Sequence, residues 1–207
     1  MLGSNTEIVQ GTPEWLKMRC GLITASKIAD VMQEKKGTGY ANYQAQLVAE
    51  RLTGCISETY KNAYMERGNE DEGAARECYE FVAGNKVEQV AFVKHPYIER
   101  AGCSPDGLIE SDGLVEIKRK IPALHIAYLL KKEVPTEYRK QMMFQMACTG
   151  RSWCDFASYC PELPEEMQLF TIRYHRDEEA VKAMETAVIA FDNSIEKMIE
   201  SLHALRS

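Results

Sequence analysis

Cys103-Ser104-Pro105-Asp106-Gly107-Leu108, followed by Gly113-Leu114-Val115-Glu116-Ile117-Lys118, decides how this chain is read. The first segment sets an aspartate on a turn. The second sets a glutamate on an apolar strand, with a lysine two residues further along. Strand side chains alternate between faces, so Glu116 and Lys118 share one face while Val115 and Ile117 turn the other way into a core. Ser-Pro-Asp-Gly is a turn signal, its proline and glycine supplying the backbone geometry. A hairpin that pairs 108–110 with 114–116 across Ser111-Asp112-Gly113 brings Asp106 back beside Glu116. Two carboxylates and one ammonium then converge, which is a site for a hard cation with a cationic side chain next to it. Glu-x-Lys on its own is usually a solvated strand edge. Here the preceding turn adds a third charged group, the opposite strand face is apolar, and Arg119-Lys120 adds local positive charge.

Outward from this stretch the chain continues through Ile121-Pro122 into helices expected over 123–132 and 137–149. Strands are expected over 152–159 and 168–174, and a long amphipathic helix over 177–205. That last helix carries Val181, Met184, Val188, Phe191, Ile195, Ile199 and Leu202 on one stripe and starts at an Asp177 cap. On the N-terminal side, residues 1–14 read as an irregular arm ending in the helix start Thr12-Pro13-Glu14. A short helix holds Trp15, Leu16 and Met18; Gly21 breaks it, and Thr24 or Ser26 opens another running to about Met32. Further helices are expected over 40–52, closed by Thr53-Gly54, and over 63–82, with one strand over 87–93. This order of elements predicts an α/β (α+β) fold with a central mixed sheet flanked by helices.

Composition sets the bounds. A chain of 207 residues with 45% hydrophobic and 27% charged residues suits one globular domain over 1–207. No apolar run is long enough to span a membrane, and Met1–Glu7 has neither a basic region nor an apolar core, so a cytoplasmic protein is expected. The net charge of −6 argues against passive coating of DNA but is compatible with a local basic channel, for which Lys118, Arg119, Lys120, Lys131 and Lys132 are candidates. Seven scattered cysteines include no Cys-x-x-Cys, which argues against zinc; Cys154 and Cys160 fall on one strand face as small core residues. The four histidines show no ligand spacing.

Asp-(spacer)-Glu-x-Lys in its Ser-Pro-Asp-Gly-Leu form resembles the PD-(D/E)xK nucleases, and within them the phage lambda-type exonucleases (the YqaJ-like viral recombinase nucleases). Three further blocks carry the resemblance. Trp15-x-x-x-Arg19-x-Gly21-x-Ile23-Thr24-Ala25-Ser26 matches the family's N-terminal motif, whose arginine and serine bind a 5′-terminal phosphate. On the residues alone this block allows two readings, an N-cap with a surface arginine, or a helix N-terminus that with Arg19 could grip a phosphate. Gly68, Glu72, Ala75 and Arg76 match Gly-x-x-x-Glu-x-x-Ala-Arg, which makes Glu72 a third acidic residue of the metal site, with Glu70 the neighbour to test against it. Tyr138, Gln141 and Met146 match Tyr-x-x-Gln-x-Gln-x-x-Met, whereas Met143 replaces the second glutamine and Gln145 is an extra amide able to reach substrate or water. Pro122 lies four residues after Lys118, where many relatives place it two after, which leaves a longer or bulged strand exit as the expectation. Some nucleases of this superfamily carry an iron–sulfur cluster; the cysteine spacing here does not match one.

The resemblance covers about 14–175 and implies a restriction-endonuclease-like core. It implies a 5′→3′ exonuclease that degrades one strand of duplex DNA from its end and leaves a 3′ overhang for a single-strand annealing protein. A homotrimeric ring is implied too. Asp106 and Glu116, with the Ile117 carbonyl, are the expected ligands of Mg²⁺ or Mn²⁺, with Glu72 serving a second metal or its waters. Lys118 orients or deprotonates the attacking water or stabilises the transition state, and Gln141 helps position water or strand. Two rival readings stay open: an endonuclease on the same scaffold, and a non-catalytic DNA-end-binding protein.

Overall fold

The computed structural model describes residues 8–33, 37–56 and 70–205. Helix α1 (Pro13–Arg19) starts where Thr12 accepts the Trp15 N–H at 3.3 Å, with proline in its first turn. The single helix expected from Thr24 or Ser26 to Met32 is instead a short strand, β1 (Ile23–Thr24), a 3₁₀ turn at Ala25–Lys27 and a one-turn helix, α2 (Ile28–Val31). Tertiary pairing overrides local propensity here. Ile23 and Thr24 lie in parallel register with Ala101 and Gly102, and the Thr24 N–H donates to the Tyr43 hydroxyl at 3.0 Å. Helix α3 (Thr38–Thr53) ends at Gly54 in the left-handed conformation, as expected of its Thr-Gly cap. Helix α4 is described over Glu70–Ala83; the start expected near residue 63 lies outside the described residues.

The strand expected over 87–93 is two strands, β2 (Val87–Glu88) and β3 (Val93–Lys94). They belong to different sheets, and alternation along one run does not reveal where a chain changes sheet. With β4 (Ala101–Cys103), β5 (Gly107–Ile109), β6 (Gly113–Arg119), β7 (Trp153–Tyr159) and β8 (Leu169–His175), the described strands form sheets ordered β1-β4-β3 and β2-β5-β6-β7-β8. β6 pairs with β7 in parallel along its whole length, and with β5 antiparallel. The Lys120 N–H donates to the Tyr159 carbonyl at 2.8 Å, so the ladder runs on past β6 without a bulge. Pro122 then opens helix α5 (Pro122–Lys131), and α6 (Thr136–Thr149) follows.

Both faces of β6 are covered. Leu114 joins Cys154 and Phe156 in a core closed by Met142 and Met146 of α6 and by Val181, Met184, Val188, Phe191 and Ile195 of α7 (Glu178–Ala204). Val115 and Ile117 pack on the other face against Ala75 and Tyr79 of α4. The Asp177 side chain caps α7 by accepting from the Glu179 and Ala180 N–H groups. The five-stranded sheet is mixed and carries helices on both faces, as the element order predicts, while the three described strands β1, β4 and β3 form a second mixed sheet.

Candidate active site

The β5–β6 hairpin is one residue offset from the expected one. Ile109 pairs with Gly113, so Glu110, Ser111 and Asp112 make the turn and Gly113 is the first strand residue. Its Cβ position falls 2.1 Å from the Trp153 indole, which only glycine tolerates. The left-handed position belongs to Glu110, at φ 47°. Arg151, just beyond α6, fixes the turn by donating to the carbonyls of Ile109, Glu110 and Gly113 at 3.0, 3.0 and 2.8 Å. Gly107 is not in the left-handed region either; it leaves room for Val87, whose Cγ1 lies 1.9 Å from where its Cβ would be.

This register sets Asp106 beside Glu116. Asp106 Oδ2 accepts the Ile117 N–H at 2.7 Å. In a strand the N–H and C=O of one residue leave on the same side, so the Ile117 carbonyl also faces the Asp106 side. Glu116 is 0% exposed. Its Oε1 accepts from Lys118 Nζ at 2.5 Å and from Gln141 Nε2 at 2.6 Å, and its Oε2 accepts from Gln145 Nε2 at 2.6 Å. Gln145 therefore does not point at a substrate, as its position one turn beyond Gln141 suggested; it is fully buried behind the glutamate. Lys118 Nζ also stands 3.8 Å from Asp106 Oδ2. Lys120, next along the same face, donates to the Tyr138 hydroxyl at 2.5 Å, and the Tyr138 ring stacks on Phe156 at 5.1 Å. Arg119 turns the other way and pairs with Glu162 at 2.6 Å, so the candidate channel cations on β6 do not share one face.

Electrostatics follow from this crowding. Burial, then the neighbouring Glu116, push the Asp106 carboxyl up to about 7, with Glu72 adding to the effect and Lys118 opposing it. Burial would lower Lys118, but Glu116 and Asp106 outweigh it and hold the ammonium well above its ordinary value. Glu72 is half-buried and pairs with Arg76 at 3.1 Å. Its charge reaches Asp106, but among the described residues no three His, Cys, Asp or Glu side chains form a ready-made metal cage. The Glu70 side chain lies outside the described residues. The donors that converge are the Asp106 and Glu116 carboxylates and the Ile117 carbonyl. Two close carboxylates and a carbonyl, with one carboxyl raised by burial and by its carboxylate neighbour, are oxygen donors that fit Mg²⁺ or Mn²⁺.

A second constellation lies at the end of α1. Arg19 is not a surface arginine: it is 7% exposed, and its guanidinium lies 4.0 Å from the Trp15 ring centre. Its Nη2 donates to Ser26 Oγ at 3.4 Å, and Ser26 itself is exposed. A small cavity beside it is lined by Arg19, Thr24, Lys27, Gln46 and Glu50. The Trp15 indole N–H is shared between the Ala91 carbonyl at 2.8 Å and Ser104 Oγ at 3.0 Å. Trp15 thereby ties Arg19 to the Ser104-Pro105-Asp106 turn. Neither this link nor Arg151 has a local sequence signal.

Residues 14–152 match the YqaJ-like viral recombinase domain. An alkaline exonuclease from Laribacter hongkongensis is 43% identical and superposes with a TM-score of 0.87, covering 94% of this chain and 98% of its own; the same enzyme in complex with dAMP matches equally. A phage-related exonuclease from Haemophilus somnus 129PT shares the fold at 14% identity and a TM-score of 0.66, covering 87% of this chain and 96% of its own. Among curated proteins no significant match is found.

Proposed function

The chain belongs to the YqaJ-like viral recombinase family and is a nuclease of that family, and we propose that it is a metal-dependent 5′→3′ exonuclease acting on one strand of duplex DNA from its end. The observation that carries this reading is the convergence of Asp106, Glu116 and Lys118, with Lys118 Nζ 2.5 Å from one carboxylate and 3.8 Å from the other. Asp106, Glu116 and the Ile117 carbonyl would hold Mg²⁺, or Mn²⁺ in its place, and Glu72 would bind a second ion or its waters. When bound there, such an ion would supply Lewis-acid polarisation of the scissile phosphate, a more acidic water and counter-charge for the leaving oxygen.

The remaining roles belong to the chain. Lys118, held as an ammonium, stabilises negative charge gathering on the phosphate. Gln141 holds Glu116 through its amide and would help position water or strand. Arg19 and Ser26 grip the 5′-terminal phosphate, the arginine through its planar fork. A terminal-phosphate pocket favours an end-acting enzyme over an endonuclease. The relative crystallised with dAMP supports a mononucleotide product. Inherited from the family resemblance are the 3′ overhang, its single-strand annealing partner, the homotrimeric ring and action in the host cytoplasm. Among the described residues no helix is long and apolar enough to cross a membrane.

The test is linear duplex labelled at its 5′ or 3′ end, with Mg²⁺, with and without a 5′-phosphate. Early release of the 5′ label as mononucleotide, faster with the phosphate, is expected. Internal cuts in closed circular duplex would move the assignment to an endonuclease. Binding of ends without cleavage in Mg²⁺ or Mn²⁺ would leave a non-catalytic end-binding protein.

A further inference from the structure

Glu116 sits on a central strand, 0% exposed, with Phe156 opposite it in register. A carboxylate so placed is costly unless each oxygen is hydrogen-bonded. The two oxygens are served differently. Oε1 is on the side of Lys118, the partly exposed end of the site, and takes Lys118 and Gln141. Oε2 takes Gln145, itself 0% exposed. Gln145 stands one helical turn beyond Gln141 on α6, so consecutive turns deliver one amide to each oxygen. The Gln145 amide has a fixed sense: its Nε2 donates to Glu116 while its Oε1 faces the Cys154 thiol at 4.0 Å.

Resting on the nuclease reading above, we infer that Gln145 is a positioning residue for metal binding. It occupies Glu116 Oε2 permanently, locks the carboxylate plane, and leaves Oε1 as the oxygen presented to the divalent cation. Gln145 touches neither substrate nor ion. It acts through Glu116, as outer partners of metal ligands do, and such partners change affinity by about 10–100-fold when removed.

The test is Mn²⁺ binding to the DNA-free protein, by calorimetry or by loss of the free-ion resonance, for wild type, Gln145→Met and Met146→Ala. Met146 is the next residue of α6, equally buried and not bonded to Glu116, so its variant reports destabilisation of the helix alone. Gln145→Met is expected to weaken Mn²⁺ binding at least tenfold and to lower kcat with KM for DNA unchanged, while Met146→Ala at a comparable melting temperature binds Mn²⁺ as wild type does. Equal affinity of Gln145→Met and wild type overturns the inference and leaves the nuclease assignment standing, as does equal weakening in both variants. A wild type that neither binds Mn²⁺ nor cuts DNA overturns the assignment itself. If Gln145→Met does not fold, Gln145→Asn, whose shorter amide withdraws from Glu116, is measured in the same titration against the same criteria.

Discussion

Lys118 Nζ stands 2.5 Å from Glu116 Oε1, two residues apart on one strand face. The ammonium occupies the oxygen that a divalent cation would use. Removing it should therefore separate two properties. Lys118→Ala is expected to keep Mn²⁺ binding at wild-type affinity or better, because a competitor for Glu116 is gone. Turnover should fall by about 10²–10³, the usual cost of losing a positioned cationic donor to transition-state charge. Parallel Mn²⁺ titration and single-turnover cleavage measure both. Loss of binding together with activity would mean that Lys118 chiefly holds the carboxylates in place.

Arg19 presents a buried guanidinium over the Trp15 ring, bonded to the exposed Ser26 hydroxyl. Arg19→Lys keeps the charge and loses the planar fork. The expected result is a drop of about tenfold or more in the preference for 5′-phosphorylated over 5′-hydroxyl duplex, consistent with one or two charged hydrogen bonds at about 1.5–3 kcal/mol each. Ser26→Ala should reduce the same preference by less. The ratio of kcat/KM on the two substrates is the readout; an unchanged ratio would place the terminal phosphate elsewhere.

The core of the site was legible because its chemistry is local. Asp106, Glu116 and Lys118 lie within one hairpin, and strand alternation plus a turn signal bring them together. The turn falls one residue earlier than the local signal predicts, because Gly113 has a turn residue's composition but is needed for contact with Trp153, distant in sequence. Gln145 looked like a substrate-facing amide because helical periodicity gives its face and not its depth. The break between β2 and β3, and the strand at Ile23–Thr24, depend on partners in another part of the chain. Those pairings leave no mark in a single run of residues.

Two buried histidines make stability depend on pH. His125 Nε2 faces the Met167 carbonyl at 2.9 Å, which can only accept, so this nitrogen carries the proton and Nδ1 accepts from Ser158. His95 Nδ1 accepts the Ile98 N–H at 3.2 Å, and Nε2 stands 3.4 Å from Glu185. Burial lowers both below the ordinary value of 6.5; for His95 the Glu185 charge opposes this and Arg176 adds to it. The unfolded chain then binds more protons than the fold just below pH 6.5. Their contribution is complete above that pH and is lost as the pH falls, by up to about 1.4 kcal/mol per unit for each group. Asp106 has the opposite sign: raised in the fold, it strains the folded state above about 7 and relieves it on acidification. In an Asp106→Asn background, unfolding midpoints measured between about pH 8 and 5.5 should therefore fall on acidification, and His125→Asn should flatten the fall. A midpoint that rises towards acid in that background would reverse the assignment of the histidines.

Gly107 tests whether the motif's glycine serves space or turn geometry. It pairs with Val115 at the start of β5, outside the left-handed region, and its Cβ position lies 1.9 Å from Val87 Cγ1 and 3.2 Å from Val115 Cγ1. Gly107→Ala should cost about 1–3 kcal/mol, the range for overpacking a close-packed contact. Val87→Ala removes the colliding methyl. The double variant should then be more stable than the sum of the two single effects predicts, a coupling within about 0.5–3 kcal/mol. Denaturant unfolding of the four proteins closes the cycle. Strict additivity would show that the glycine is required by its own backbone, as its place in Ser-Pro-Asp-Gly first suggested. Coupling would show that it is required by the edge strand β2, which packs where a side chain would otherwise be.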